Sequence, residues 1–164
     1  MIRDKKIILQ DVDFVNIIED ILANEKVQEM KKYRQHHKIN CLDHCLFVSY
    51  NAYIICKKHD LDYISTARAA MVHDLFLYDW RKRENGRKGL HAFTHPYRAL
   101  EIASSFLELN DKEKDIILKH MWPVTFKIPK YKESFIVSFV DKCFAVEESF
   151  IKVEECEKEK VIKW

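Results

Sequence analysis

Apolar residues recur at intervals of three and four along most of the chain, and this spacing predicts helices rather than strands. The six predicted helices cover about residues 11–32, 40–59, 62–77, 94–110, 110–122 and 131 onward. Side chains that can cap a helix stand at three of these starts: Asp62, Thr94, and Asn110 or Asp111. Residues 79–93 contain both glycines and are expected to form a loop.

The pattern predicts an all-α protein, a single-domain helical bundle of about six helices over residues 1–164. Its core is expected at about 36–145, preceded by the N-terminal helix at about 11–32. Residues 147–164 are acidic and should form a further helical segment or a tail. With only two glycines and three prolines, the chain lacks the frequent turns that a β-sandwich or barrel needs.

Composition narrows the expected partners and location. Hydrophobic residues make up 48% of the chain, which is enough to form a folded core. A net charge of +2 does not call for nucleic acid or an anionic membrane as a partner. No apolar run reaches the roughly 18 residues of a membrane span, and the N-terminal run is too short for a secretory signal. We therefore expect a cytoplasmic protein.

The five cysteines match no disulfide framework and no CxxC zinc motif. Cys41 and Cys45 are four residues apart, so they would share one face of a helix. This spacing permits a metal site, but without a second pair we expect buried thiols that pack as small hydrophobic side chains.

Several histidines and aspartates interrupt the apolar stripes of five different helices. They are His44, His73, Asp74, His95, His120 and Asp141. An uncompensated buried polar group costs several kcal/mol, and six of them would rival the whole stability of a domain. Divalent metal ions can satisfy all six, and imidazole with carboxylate suits iron, manganese, zinc or cobalt.

The adjacent pair His73 and Asp74 fits a site with two ions. Neighbouring residues on a helix point about 100° apart, so each side chain can face a different ion. A carboxylate also has two oxygens and can bridge two ions. The pair therefore predicts a dinuclear centre, in which Asp74 is shared.

This ordered set resembles the HD superfamily of metal-dependent phosphohydrolases over about residues 36–145. The superfamily pattern is a histidine, a His-Asp doublet, two further histidines and a distant aspartate. The resemblance implies that one ion is held by His44, His73, Asp74 and Asp141, and a second by Asp74, His95 and His120. The spacing is most similar to that of bacterial HD-type hydrolases of dinucleotide polyphosphates. It implies a phosphohydrolase with two divalent ions as cofactors, iron first and manganese, zinc or cobalt as alternatives.

Two cations close together lower the pKa of a water towards neutral, which lets it attack phosphorus. Asp74 is then catalytic as the shared ligand, and His91 is the candidate general acid. Since Pro96 is expected in the first turn of its helix, His91 should precede that helix. There we expect it to contact substrate or a metal-bound water rather than to bind an ion.

Basic residues near the doublet are candidates for binding substrate phosphates. Those in one loop are Arg81, Arg83, Arg87 and Lys88. The alternative is a solvated basic loop. Lys142, next to Asp141, is a further candidate, or else a surface lysine that extends away from the core. The aromatic residues that can stack on a base, or else belong to the core, are Tyr78, Trp80 and Trp122.

The expected partner is a small phosphorylated molecule such as a nucleotide. Two other functions stay open. Some members of the same superfamily use a di-iron centre to activate oxygen, and a histidine-rich site serves both chemistries. A non-catalytic nucleotide sensor that keeps the fold is the third possibility.

Overall fold

Helices account for nearly all of the regular structure in this protein. The computed structural model describes residues 1–36, 39–81 and 90–161, with side chains except those of residues 35, 36 and 148–161. The helices in these ranges are α1 Lys5–Gln10, α2 Val12–Leu22, α3 Glu25–Glu29, α4 Cys41–Lys58, α5 Tyr63–Met71, α6 His91–Ser104, α7 Asp111–Lys119 and α8 Lys132–Val161. The all-α prediction is confirmed.

The remaining regular structure described is short. A 3₁₀ turn, Met30–Lys32, follows α3, and two short antiparallel strands, β1 Arg34–His36 and β2 Ile39–Asn40, lead into α4. The chain therefore enters α4 through a small two-stranded ladder, which the helical periodicity did not predict.

Asparagine and aspartate side chains start most of the helices. In α2, α4 and α5 the caps Asp11, Asn40 and Asp62 each accept a hydrogen bond from the backbone N–H three residues later. Asn110 starts α7 with a reciprocal capping box, because Glu113 in turn accepts from the Asn110 backbone N–H at 2.8 Å. The predicted caps at Asp62 and Asn110 are confirmed.

The prediction of one continuous helix over 11–32 is wrong. It ends at Leu22, and a new helix begins after Asn24. The Asn24 side chain accepts a hydrogen bond from the Lys26 backbone N–H at 3.0 Å. Asparagine offers the backbone an alternative to the helical ladder, which here outweighs the apolar periodicity.

The fourth predicted helix begins earlier than expected. It starts at His91 rather than Thr94, so Pro96 lies inside α6, and the Thr94 hydroxyl donates to the Leu90 carbonyl instead of capping. The His91 ring stacks on that of His95 with centroids 4.5 Å apart, and this contact extends the helix back past the proline. The prediction that His91 precedes the helix is therefore wrong.

Helix α4 lies at the centre of the core and packs against α5 and α8, while α7 contacts α5, α6 and α8. Fully buried side chains come from every part of the bundle: Ile8, Phe14, Val27, Val48, Tyr53, Ala70, Ala103, Ile116, Val140 and Phe144. None of the helices described is both long enough and apolar enough to cross a membrane.

The capping box at the start of α7 should contribute measurably to stability. Replacing Asn110 with alanine removes the acceptor for the Glu113 N–H, so Asn110→Ala should lower the free energy of unfolding by about 1–2 kcal/mol. Urea denaturation followed by circular dichroism measures this change. Lys114→Ala, an exposed position in the same helix, should change it by less than about 0.5 kcal/mol. Equal effects of the two variants would contradict a role for the cap.

Candidate metal centre

Six buried polar side chains converge where α4, α6, α7 and α8 meet the turn that follows α5. His44 comes from α4 and Asp141 from α8, while His95 projects from the second turn of α6 and His120 follows the last residue of α7. The predicted ligands form two groups that could each hold a metal ion: His44, His73, Asp74 and Asp141, and Asp74, His95 and His120. The structure brings together the six residues that the sequence analysis named, and their binding of metal stays a prediction.

The His-Asp doublet lies in a turn rather than in a helix, contrary to the expectation for residues 62–77. Helix α5 ends at Met71, and the ring nitrogen Nδ1 of His73 lies 2.7 Å from the Ala70 carbonyl oxygen. That carbonyl is the one a continuing helix would pair with the Asp74 N–H. The histidine ring therefore helps to end the helix and turns both side chains of the doublet into the site.

The first group is built around two carboxylates. His44 Nε2 lies 3.1 Å from Asp141 Oδ1 and 3.8 Å from Asp74 Oδ2. His73 Nε2 lies 3.5 Å from Asp74 Oδ2 and 3.6 Å from Asp141 Oδ1. Donor atoms that share one ion at bond lengths near 2.1 Å are separated by about 3 Å or slightly more, and this group has that spacing.

The second group uses the other oxygen of the same aspartate. Asp74 Oδ1 lies 3.0 Å from His95 Nε2 and 3.4 Å from His120 Nε2. The two imidazole nitrogens are 2.8 Å apart. Asp74 therefore presents one oxygen to each group, as a carboxylate that bridges two ions must.

Main-chain carbonyls fix the protonation of three of the four histidine rings. The Nδ1 contacts are His73 to Ala70 O at 2.7 Å, His95 to His91 O at 2.9 Å and His120 to Ile117 O at 2.8 Å. A carbonyl only accepts, so Nδ1 must carry the proton in each ring. In a neutral ring, Nε2 then carries a lone pair that is directed into the site, which is the usual arrangement of metal-binding histidines.

This tautomer makes positive charge necessary at the centre. The facing Nε2 atoms of His95 and His120 would be two lone pairs 2.8 Å apart unless a cation or a proton lies between them. Burial lowers the pKa of His120 to about 4, although Asp74 opposes the shift, so this ring does not retain a second proton at neutral pH. The buried Nε2 of His73 makes no hydrogen bond to any described residue. These atoms fit metal ions.

The field at the first group also favours cations. Burial opposes charge at His73, but interactions with Cys45, Asp74 and Asp141 raise its pKa well above the ordinary value. Burial alone would raise the pKa of Asp74, yet the neighbouring histidines hold it well below the ordinary range. The pKa of Asp141 is lowered likewise, against its burial, by His44 and His73. A position that holds protons and carboxylate charge this strongly stabilises bound cations.

Two thiols support the doublet from behind, and the sequence analysis gave them no such role. Cys41 Sγ donates to the Asp74 carbonyl at 3.2 Å, and Cys45 Sγ lies 3.7 Å from His73 Nδ1. Both thiols are buried and neither forms a disulfide. The sequence feature that could have indicated this role is their spacing of one helical turn, because it places both on one face of α4.

A cavity of about 230 Å³ adjoins the centre. Asp74, His95 and Asp141 of the centre line it, and the rest of the wall includes Trp80, His91, Met121, Val124 and Lys142. The centre therefore has an open side on which a small molecule can approach it. Most of the remaining wall is apolar, which strengthens electrostatic interactions inside.

His91 lies in the wall of this cavity and belongs to neither ligand group. Its Nδ1 is 3.0 Å from the Tyr78 hydroxyl, and its ring is stacked between Trp80 and His95. Trp80 thus forms part of the cavity, whereas Trp122 packs edge-on against Phe135.

The candidate phosphate-binding residues differ in their placement. The Lys142 ammonium donates to the His120 carbonyl and lies 3.1 Å from Asp141 Oδ2, so it turns towards the cavity instead of extending into solvent. Arg81 is exposed and paired with Asp79 at 3.0 Å, and it does not line the cavity. The other candidates, Arg83, Arg87 and Lys88, lie outside the described residues.

No family model matches this chain, and searches of curated proteins and of solved structures find no match. The resemblance to the HD superfamily therefore rests on the site residues alone.

The shared carboxylate should control metal content. We expect protein purified without chelators to contain up to two transition-metal ions per chain, as measured by elemental analysis. Asp74→Asn removes the charge that both groups share and should reduce the content to less than one ion, with circular dichroism unchanged. Asp115→Asn changes another buried carboxylate, outside the centre, and should keep the metal. Equal metal content in both variants would contradict the assignment.

Proposed function

We propose that this protein is a metal-dependent phosphohydrolase of the HD type, acting on a small phosphorylated molecule such as a nucleotide. One observation carries the proposal: the two oxygens of Asp74 face two separate ligand groups, and both groups border the same cavity. A dinuclear centre open to substrate on one side suits phosphoester and phosphoanhydride hydrolysis.

The ligand chemistry supports transition metals as cofactors. Neutral imidazole and carboxylate suit iron, and also manganese, zinc or cobalt. When bound, such ions lower the pKa of a water and take up negative charge that develops on phosphoryl oxygens. The chain's part is to hold four Nε2 atoms and two carboxylates in fixed positions, so that little rearrangement is needed during the reaction.

Lys142 is the proposed phosphate-binding residue. Its ammonium is held at the cavity wall by the His120 carbonyl and the Asp141 carboxylate. A third donor site on the ammonium remains for a substrate oxygen, since lysine has three N–H bonds. Bound this way, the side chain orients the phosphate and offsets part of its charge.

His91 is the proposed general acid. In the protonated ring, Nδ1–H can donate to the Tyr78 hydroxyl oxygen, which leaves the Nε2–H available to a bound substrate. Stacking between Trp80 and His95 fixes the plane of the ring in the cavity wall. The protonated ring can give its Nε2 proton to the leaving oxygen and become neutral, with Tyr78 as a positioning residue that orients the ring.

Hydrolysis of a phosphoester panel tests the proposal. Protein loaded with iron, manganese, cobalt or zinc should release phosphate from at least one nucleotide or related ester, and Asp74→Asn should abolish release. Failure of all four metals across the panel would overturn the proposal. Oxygen consumption with a polyol or phosphonate, without hydrolysis, would instead establish the oxygenase alternative.

The lysine assignment has its own test. Lys142→Met removes a charged hydrogen bond worth about 1.5–3 kcal/mol, so kcat/KM should fall by roughly 10- to 100-fold. Lys132→Met, an exposed position on the same helix, should leave kcat/KM within about twofold. Steady-state phosphate release measures both variants. Activity of Lys142→Met equal to that of the control would remove Lys142 from the substrate-binding residues.

A further inference from the structure

The long helix α8 carries an apolar stripe on the side that faces away from the bundle. Phe135, Phe139 and Val146 are 38%, 68% and 54% exposed, whereas Val137 and Phe144 of the same helix are fully buried. At about 100° per residue, the three exposed side chains start within roughly 40° of one another around the helix axis. The outer face of a surface helix is normally polar, so this face is suited to contact another apolar surface.

The sequence continues the stripe with a symmetric spacing. Phe150 follows on the same side of the helix, so the apolar positions 135, 139, 146 and 150 are separated by four, seven and four residues. This order is the same in both directions along α8, whose backbone continues to Val161. Two copies of the helix packed antiparallel would place position 135 opposite position 150, and Phe139 opposite Val146. A twofold-symmetric dimer requires such a self-complementary patch.

Charge along the helix also has the polarity that an antiparallel pair needs. Two exposed lysines, Lys127 and Lys130, lie just before α8 begins. At the other end, residues 147–160 include six acidic residues and three lysines. In the antiparallel pairing, Lys130 comes opposite Glu155 of the second copy. A parallel pair would instead bring two acidic segments together, and the same segments would be repelled by an anionic membrane.

We propose that the outer face of α8 pairs antiparallel with the same face of a second copy of this chain, so that the protein is a homodimer. Phe139 and Val146 lie nearest the midpoint of this pairing, where large buried side chains contribute most to association. The three exposed residues of the stripe belong to neither ligand group and do not line the metal-centre cavity. The inference therefore stands apart from the proposed function.

Sedimentation velocity and light scattering test the dimer. The wild type should be a dimer at micromolar concentration. Phe139→Glu and Val146→Glu each place a charge within the paired stripe and should raise the dissociation constant at least about 10-fold, with circular dichroism unchanged. Val12→Glu adds the same charge at a position 67% exposed on α2 and should leave the dimer intact. A wild type that stays monomeric at about 100 µM would overturn the proposal, as would a dimer that both stripe variants leave intact.

Cross-linking tests the antiparallel arrangement. A carbodiimide joins a lysine directly to a carboxylate, so it should link Lys130 to Glu154 or Glu155, as identified by mass spectrometry of the cross-linked dimer. Positions 132 and 155 are roughly 35 Å apart along α8, so this link cannot form within one chain. A dimer that instead forms a Cys156–Cys156 disulfide on mild oxidation would be parallel and would overturn the arrangement. Binding of a monomeric wild type to anionic vesicles would assign the stripe to a membrane and overturn the proposal as well.

Discussion

The structure is organised around one buried carboxylate, whose negative charge must be compensated by its neighbours. Asp74 is 2% exposed, and a carboxylate there is stable only with positive charge or hydrogen-bond donors around both of its oxygens. Imidazoles from three separate helices lie within 4 Å of these oxygens, as does the ring of His73. Helices α4, α6 and α7 must therefore meet at one point, and the second carboxylate, Asp141, joins α8 to it. The polar centre specifies which helices pack together, while the apolar stripes supply the stability.

The same constraint explains why local rules fail near the site. The His73 ring takes the carbonyl that would continue α5, and the stacked ring of His91 draws the start of α6 back past Pro96. In both cases a contact made by a histidine ring outweighs the local preference of the segment, which is usual at functional sites. The left-handed backbone of Leu77, with φ of 49°, follows the doublet closely. It lies between the doublet and Trp80, which forms part of the cavity wall.

One property of the sequence predicted both the helices and the candidate ligands. A histidine or aspartate within a buried stripe has to face inward, so the period of three and four predicted both the bundle and the convergence of His44, His120 and Asp141. Contacts between segments far apart in the chain produce no repeating pattern in the sequence, so they could not be predicted in this way. The packing of Lys142 on the His120 carbonyl, and the thiols of Cys41 and Cys45 behind the doublet, depend on how helices dock. The break at Asn24 was visible as a capping residue, but the apolar spacing across it was more conspicuous.

Charge balance favours phosphate over a neutral substrate at such a centre. Two divalent ions would bring four positive charges, against which Asp74 and Asp141 supply two negative ones, because the histidines bind as neutral ligands. The excess, with the ammonium of Lys142 beside it, lies at the end of a mostly apolar cavity where screening by water is weak. A phosphate dianion would neutralise the two excess charges that the carboxylates leave on the ions, whereas a polyol would leave them uncompensated. The electrostatics of the chain's own residues thus favour an anionic, phosphorus-containing substrate over an uncharged one.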